Sequence, residues 1–188
     1  MHAFGQQGIG RLITADINND GNAEVVYSVK DHWNEIRAYD NSGRYLWSRH
    51  LGPGKGELSS TFGNLAAIDL NGDGNKEIVF STENGWVIVL DHKGKSLWQK
   101  KIGMAVTAMT VDEATKTIVV GCASGDLFVV DGTGSTLWQA HVDSAVQQLL
   151  IKGTDIFIGT TKGLLYKYSL KGELHVNIEQ NQIRNRSY

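Results

Sequence analysis

The octapeptide DHKGKSLW, from Asp91 to Trp98, decides the fold because the chain repeats it. DNSGRYLW runs from Asp40 to Trp47 and DGTGSTLW from Asp131 to Trp138, with Asp, Gly, Leu and Trp at the same four positions. A weaker copy, SLKGELHV, runs from Ser169 to Val176 and keeps the glycine but loses the Asp and the Trp. Self-similarity at intervals of about 40 to 50 residues indicates a repeat architecture.

Each repeat unit reads as four short strands. The second unit contains NLAAIDL, EIVFST, WVIVLD and SLWQKKI, which are rich in β-branched, aliphatic and aromatic residues and are bounded by turn residues. The chain has 22 glycines and one proline, a balance that suits many strands joined by tight turns. The D-x-x-G element joins the third strand to the fourth, and its glycine is free to take a positive φ. No segment of useful length shows helical periodicity.

These features predict an all-β fold, a β-propeller of four-stranded antiparallel blades with about four blades in this chain. We expect one domain at 1–178, with blades at about 8–52, 60–104, 105–144 and 145–178, and a tail at 179–188. Rings usually hold more than four blades. A half-ring that pairs with a second copy, or a fragment of a longer chain, is therefore favoured over a small closed ring.

Two stretches resemble known propeller repeats. AYDNSGRYLW (Ala38–Trp47) resembles the tryptophan-docking repeat of quinoprotein-like (PQQ-like) propellers, and FGNLAAIDLNGDGNKEIVFS (Phe62–Ser81) resembles the FG-GAP repeat of integrin-like propellers. FGQQGIGRLITADINNDGNAEVV (Phe4–Val26) is a looser copy of the second. The resemblance implies a fold and no particular activity. It favours an extracellular, periplasmic or cell-surface location, although the N-terminus MHAFGQQGIG lacks the pattern of a signal peptide.

The recurring tryptophans Trp47, Trp98 and Trp138 have a structural interpretation. A tryptophan is large, and its N–H needs an acceptor when it is buried. Placed between two blades, each can pack on one sheet while its N–H reaches the backbone of the neighbour. No residues mark a quinone site, so no PQQ is expected.

Two polar loops have the spacing of a calcium site. DINNDGNAE (Asp16–Glu24) and DLNGDGNKE (Asp69–Glu77) place oxygen-bearing side chains on alternate residues and follow the fifth with a glycine, which permits the tight turn that makes them converge. The expected ligands are Asp16, Asn18, Asp20, Asn22 and Glu24 in the first loop, and Asp69, Asn71, Asp73, Asn75 and Glu77 in the second. FG-GAP loops that resemble these bind calcium, which implies two Ca²⁺ sites. The alternative is a metal-free, Asx-rich turn.

Composition excludes several classes of protein. With 18 basic and 20 acidic residues the net charge is −2, and no basic stripe indicates a nucleic-acid partner. No apolar run approaches the roughly 20 residues of a membrane span. Cys122 is the single cysteine, which rules out an intrachain disulfide and a cysteine zinc site. Its setting, IVVGCASG, is typical of a buried strand end.

No pattern of catalytic residues is visible, so we expect no enzymatic activity. The histidines are scattered, and His50 and His141 recur three residues after a repeat tryptophan, which favours a structural role. The candidate ligand-binding residues are aromatics in loops between second and third strands: His32 and Trp33 in VKDHWNE, and Trp86 in TENGW. For Trp86 the alternative is that it covers a sheet edge.

The sequence therefore predicts a non-enzymatic, calcium-stabilised scaffold for protein interaction or ligand binding. The expected partner is a protein or a glycan, or a second copy that completes the ring. The alternatives are a carbohydrate-binding or polysaccharide-lyase-associated propeller, or part of a quinoprotein-like enzyme.

Overall fold

A computed structural model of the chain describes residues 8–29, 35–50 and 62–179, which form sixteen β-strands. Blade 1 contains β1 (Ile9–Ala15), β2 (Glu24–Val29), β3 (Glu35–Tyr39) and β4 (Tyr45–His50). Blade 2 contains β5 (Phe62–Ile68), β6 (Glu77–Thr82), β7 (Trp86–Leu90) and β8 (Ser96–Lys101). Blade 3 contains β9 (Val106–Asp112), β10 (Thr117–Cys122), β11 (Asp126–Asp131) and β12 (Thr136–His141). Blade 4 contains β13 (Val146–Lys152), β14 (Asp155–Thr160), β15 (Leu164–Ser169) and β16 (Leu174–Glu179).

Each blade is an antiparallel meander whose strands pair in sequence order, as the repeat predicts. All sixteen expected strands are present, and the all-β propeller class is confirmed. The first strands of blades 1 and 2 begin at Ile9 and Phe62, two residues before the runs RLITADI and NLAAIDL from which the sequence predicts them. In both, pairing resumes across a register shift that includes a glycine, Gly10 or Gly63. The bulge lets each strand continue past this glycine, which interrupts the apolar pattern. No helix among the described residues is long and apolar enough to cross a membrane.

The blades stack side by side on apolar clusters. Phe80 and Ile88 of blade 2 pack against Ile36 of blade 1, and equivalent clusters fill the gaps between blades 2 and 3 and between blades 3 and 4. Strands β6 and β10 are buried at every position, because blades 2 and 3 each have a neighbour on both faces. This explains why their sequences are almost continuously apolar and do not alternate.

The four blades form an open arc. The first strands β1, β5, β9 and β13 lie innermost and neighbour one another in that order. Within the described part of the chain, β13 does not pack beside β1 as the other first strands pack beside their neighbours. The outer faces of blades 1 and 4 consequently expose large side chains, among them Tyr45 and Leu150. This arrangement agrees with the half-ring and fragment interpretations, and the small closed ring is not observed.

Candidate functional site

Every repeat tryptophan reaches from the fourth strand of its blade into the next blade. The indole N–H groups of Trp47, Trp98 and Trp138 each donate a hydrogen bond of 2.8 Å to a backbone carbonyl in the turn between the third and fourth strands of the next blade. The acceptors are the carbonyl oxygens of His92, Gly132 and Leu170, which occupy the second position of that turn. The same contact thus joins each pair of neighbouring blades.

The glycine of each turn is the seat on which the indole stacks. A Cβ built on Gly94 would lie 2.7 Å from Cε3 of Trp47, and one built on Gly172 would lie 3.0 Å from Cδ2 of Trp138. Gly94 also has a φ of 79°, where a side chain is strained. Glycine is therefore required twice, once for the turn and once for the approach of the ring.

In blades 1 to 3 the aspartate that opens the turn fixes its shape. Asp40 accepts hydrogen bonds at Oδ1 from the Ser42 hydroxyl at 2.7 Å and from the backbone N–H of Arg44 at 2.8 Å. These donors, the Ser42 hydroxyl first, lower the pKa of Asp40 to about 2. Asp91 accepts the backbone N–H groups of Lys93 and Lys95 in the same way. An Asx turn thus builds the seat in each of these blades.

The first acidic loop joins β1 to β2 and closes on its own backbone. Asp16 accepts the N–H of Asp20 at 3.1 Å through Oδ1 and the N–H of Gly21 at 2.9 Å through Oδ2. Asp20 accepts the N–H of Asn22 at 2.8 Å, and this bond is the main reason why the pKa of Asp20 is lowered. The Asn18 amide donates to Asp20 Oδ2 at 3.1 Å.

The second acidic loop joins β5 to β6 and repeats this pattern. Asp69 accepts the N–H groups of Gly72 at 2.6 Å and Gly74 at 3.2 Å, and Lys116 Nζ lies 3.5 Å from its Oδ2. Asp73 accepts the N–H of Asn75 at 2.7 Å, which lowers the pKa of Asp73. The equal spacing of the two sequences thus produces similar loops, although the first aspartate accepts the N–H four residues on in the first loop and three residues on in the second.

A buried glutamate lies beneath each loop. Glu24 and Glu77 are only 1% and 2% exposed, and each accepts one backbone N–H from its loop, Ile17 at 2.9 Å and Leu70 at 2.7 Å. Burial raises the pKa of Glu77, and the negative charges of Asp73 and Asp69 raise it further. A cation in the second loop would offset this repulsion.

The donor set of these loops suits calcium in its chemistry, since all the side chains offer oxygen. Among the described residues, no group of three or more His, Cys, Asp or Glu side chains is arranged to hold a metal ion. The aspartates are instead turned toward the N–H groups of their own loops. Occupation by Ca²⁺ at Asp16, Asp20, Asp69 and Asp73 therefore stays a prediction.

The concave side of the arc carries a polar groove of about 370 Å³, lined by the first strands of all four blades. Arg11 donates from Nε to the Gly63 carbonyl at 2.9 Å, and the Thr107 hydroxyl donates to the Val146 carbonyl, so bulge-region side chains tie neighbouring blades at the axis. The sequence patterns do not predict this groove. The available signal was a polar residue near the start of each first strand, but those residues lie far apart along the chain.

The predicted aromatic ligand-binding residues are only partly described. His32 and Trp33 lie outside the described residues. Trp86 begins β7, is half-buried and packs on the core between blades 1 and 2. Its Nε1 is buried and finds no hydrogen-bond partner in the described structure.

Two candidate nucleophiles among the described residues, Cys122 and Ser124, are held in settings that do not activate them. Cys122 is fully buried, and burial raises the pKa of its thiol to about 11. His141 Nδ1 lies 2.8 Å from Asp126, and the Ser124 hydroxyl donates to the same carboxylate at 2.6 Å. The serine therefore bonds the acid and not the imidazole, whereas a nucleophile needs to bond its base. His50 faces Glu35 across the equivalent pair of strands in blade 1.

Comparison with known proteins adds a family and a set of folds. The profile of the lambda-carrageenase β-propeller domain matches residues 35–149, more than half of this chain. No curated protein matches the chain.

Solved structures share the fold at low sequence identity. Sqt1 from Saccharomyces cerevisiae superposes with a TM-score of 0.76 and 14% identity, over 92% of this chain and 49% of Sqt1. BamB from Moraxella catarrhalis superposes with a TM-score of 0.64 and 17% identity, over 92% of this chain and 51% of BamB. BBS1N, solved in complex with ARL6DN, superposes with a TM-score of 0.65 and 14% identity, over 88% of this chain and 64% of the BBS1N chain. The chain spans about half the length of Sqt1 and of BamB.

Proposed function

This chain belongs to the lambda-carrageenase β-propeller domain family, and from that premise we propose that it is a non-catalytic propeller module that binds another protein. The observation that carries the proposal is the outer face of blade 1. The rings of Tyr27 and Tyr39 stack there with their centroids 5.9 Å apart, and the ring of Tyr45 meets that of Tyr39 edge-on with a centroid distance of 5.7 Å. Tyrosine is enriched in the buried centres of protein interfaces. The complex of BBS1N with ARL6DN supports the proposal, since a propeller of similar fold has a protein partner there.

Affinity capture tests this function. Immobilised chain should retain a protein from an extract of its source cells or their medium, and Tyr39→Ser should lose that protein. Leu137→Ser is the matched control, because Leu137 is 54% exposed on β12 of blade 3 and away from the tyrosine cluster. Capture that is unchanged in the tyrosine variant would contradict the proposal.

Calcium stabilisation is part of the proposed function. Bound Ca²⁺ would supply positive charge to the two acidic loops, where Asp16 and Asp69 would provide first-position carboxylates and Glu77 beneath the second loop would be relieved of repulsion. The resemblance of these loops to FG-GAP loops supports this, as does the raised pKa of buried Glu77. Calcium loops of this kind fit the proposed extracellular, periplasmic or cell-surface location.

A second candidate is a carbohydrate-binding propeller associated with polysaccharide cleavage. The family match favours it, because that family is named for an enzyme that acts on lambda-carrageenan. Electrophoresis through a gel containing lambda-carrageenan separates the two candidates. A protein-binding module should migrate as it does in a plain gel and release no reducing ends, whereas retardation that is lost in Trp86→Ala would favour the carbohydrate candidate.

A further inference from the structure

Blade 1 has a tryptophan seat that no tryptophan of the described structure fills. Its turn has the same hydrogen bonds as the filled ones, with Gly43 N–H donating to Asp40 at 3.0 Å and Gly43 at a φ of 82°. A Cβ built on Gly43 would meet no atom within 4 Å, and Gly43 is exposed where Gly94 and Gly134 are buried. The Asn41 carbonyl stands at the position of the three indole acceptors.

The sheet beside this turn presents an interface surface. Register places Tyr27 opposite Arg37 and Tyr39 opposite Tyr45, so these side chains share the outer face of blade 1. At the equivalent positions, blade 2 has Phe80, Ile88, Leu90 and Ser96, and the first three are at most 1% exposed because blade 1 covers them.

Tyrosine and arginine suit a face that is covered by a separate protein. Both have apolar bodies with polar ends, so they remain soluble when uncovered and still bury apolar area when covered. They are the residues most enriched at the centres of protein interfaces. Arg37 is also charge-balanced, since its guanidinium lies 2.6 Å from Glu35. A face meant only for water would carry more charge and fewer contacting aromatic rings.

Blade 4 of a second copy of this chain lacks the group that fits the seat. The repeat position that carries tryptophan in blades 1 to 3 carries Val176 in blade 4. Val176 lies opposite Lys167 on the outer face of blade 4 and offers neither an indole ring nor an N–H donor. The three filled seats show what the missing partner must bring: an indole over the glycine and a donor to the turn carbonyl.

We propose that the outer face of blade 1 docks the last blade of another propeller polypeptide, one that carries tryptophan at the position of Val176. This inference rests on the proposed protein-binding function and assigns the chemistry of its partner. The docked tryptophan stacks on Gly43 and donates to the Asn41 carbonyl, and the partner's sheet covers the tyrosines.

The full chain itself supplies a probe of this seat. Val176→Trp gives blade 4 the missing tryptophan, and Val176 is 39% exposed, so the larger side chain has room. Sedimentation velocity should show that Val176→Trp associates at least about tenfold more tightly than the natural chain, as expected of an interface hot spot. Fluorescence of the new indole should shift to shorter wavelength as the complex forms.

Two asparagine substitutions locate the contact. Gly43→Asn in the Val176→Trp background should restore the weak association of the natural chain, because asparagine tolerates positive φ and its side chain covers the seat. Gly153→Asn is the matched control, since Gly153 also has positive φ and an open surrounding, and it should leave association unchanged. Equal association of Val176→Trp and the natural chain would overturn the proposal, as would insensitivity to Gly43→Asn or tight self-association of the natural chain.

A second measurement does not depend on the folding of Val176→Trp. The protein captured by the natural chain should contain a blade that ends in D-x-x-G-x-x-L-W and should be lost with Gly43→Asn. A captured protein that depends on Tyr39 but lacks such a blade would refute this inference and leave the proposed function standing. Association of Val176→Trp without any captured protein would refute the proposed function and leave the chemistry of the seat standing.

Discussion

At the scale of single residues, the indole N–H of each repeat tryptophan is the most specific contact between blades. Trp98 donates to the Gly132 carbonyl at 2.8 Å. Trp98→Phe keeps an aromatic ring but leaves this carbonyl without its donor, so we expect the free energy of unfolding to fall by about 1–3 kcal/mol. Urea unfolding of the variant and of the natural chain measures this free energy. Leu97→Ser, at a neighbouring position that is 50% exposed, should change it by less than about 0.5 kcal/mol. Equal losses in the two variants would contradict the assignment.

The aspartate of the first turn should make stability depend on pH. The Ser42 hydroxyl and the N–H of Arg44 lower the pKa of Asp40 to about 2, below its unfolded value of 3.8. An acid with a depressed folded pKa contributes stability above its unfolded pKa and loses it as the pH falls through the folded pKa. The melting temperature of Asp40→Asn should therefore lie below that of the natural chain at pH 7, and the gap should narrow as the pH falls below about 4 and close below about pH 2. A gap of the same size at pH 7 and at pH 2 would exclude this origin.

At the scale of elements, the two acidic loops carry the calcium prediction. Saturating Ca²⁺ should raise the melting temperature relative to excess chelator, because a ligand at 100 times its Kd stabilises a fold by about 2.7 kcal/mol per site. Asp16→Asn with Asp69→Asn should remove the shift. Asp112→Asn, at the end of β9 where the shorter β9–β10 loop begins, is the control and should keep the calcium-dependent shift. A melting temperature that ignores both calcium and chelator would refute the prediction.

Two glycines at the same strand position report which blades have a neighbour. A Cβ on Gly121 of β10 would lie 2.3 Å from Val146 Cγ1 of blade 4, whereas one on Gly159 of β14 would lie 3.7 Å from Gln148. We expect Gly121→Ala to lower the free energy of unfolding by about 1–3 kcal/mol through overpacking. Gly159→Ala should have little effect, and denaturant unfolding of both variants checks the difference. A large loss for Gly159→Ala would argue against the open arc.

At the scale of the whole molecule, the sequence predicts the units better than their assembly. The repeat of Asp91–Trp98 and the apolar runs between turns identify every strand, because those signals are local. The axial groove escapes prediction because Arg11, Asn64 and Thr107 come together only after three blades have stacked. The open arc is expected from the small number of blades. What covers its outer faces is not, since sequence patterning shows that a sheet face is apolar or aromatic but not what lies against it.

The tryptophan contact also gives the arc a direction. Every repeat indole points from one blade to the next along the chain and never back, so the free turn of blade 1 accepts a ring, and a donated ring has to come from the blade 4 position where this chain has Val176. Two arcs that met blade 1 to blade 1 would bring together two acceptors, so a two-fold symmetric pair cannot use this contact. Only head-to-tail joining can, and such joining either closes into a ring or continues as a filament.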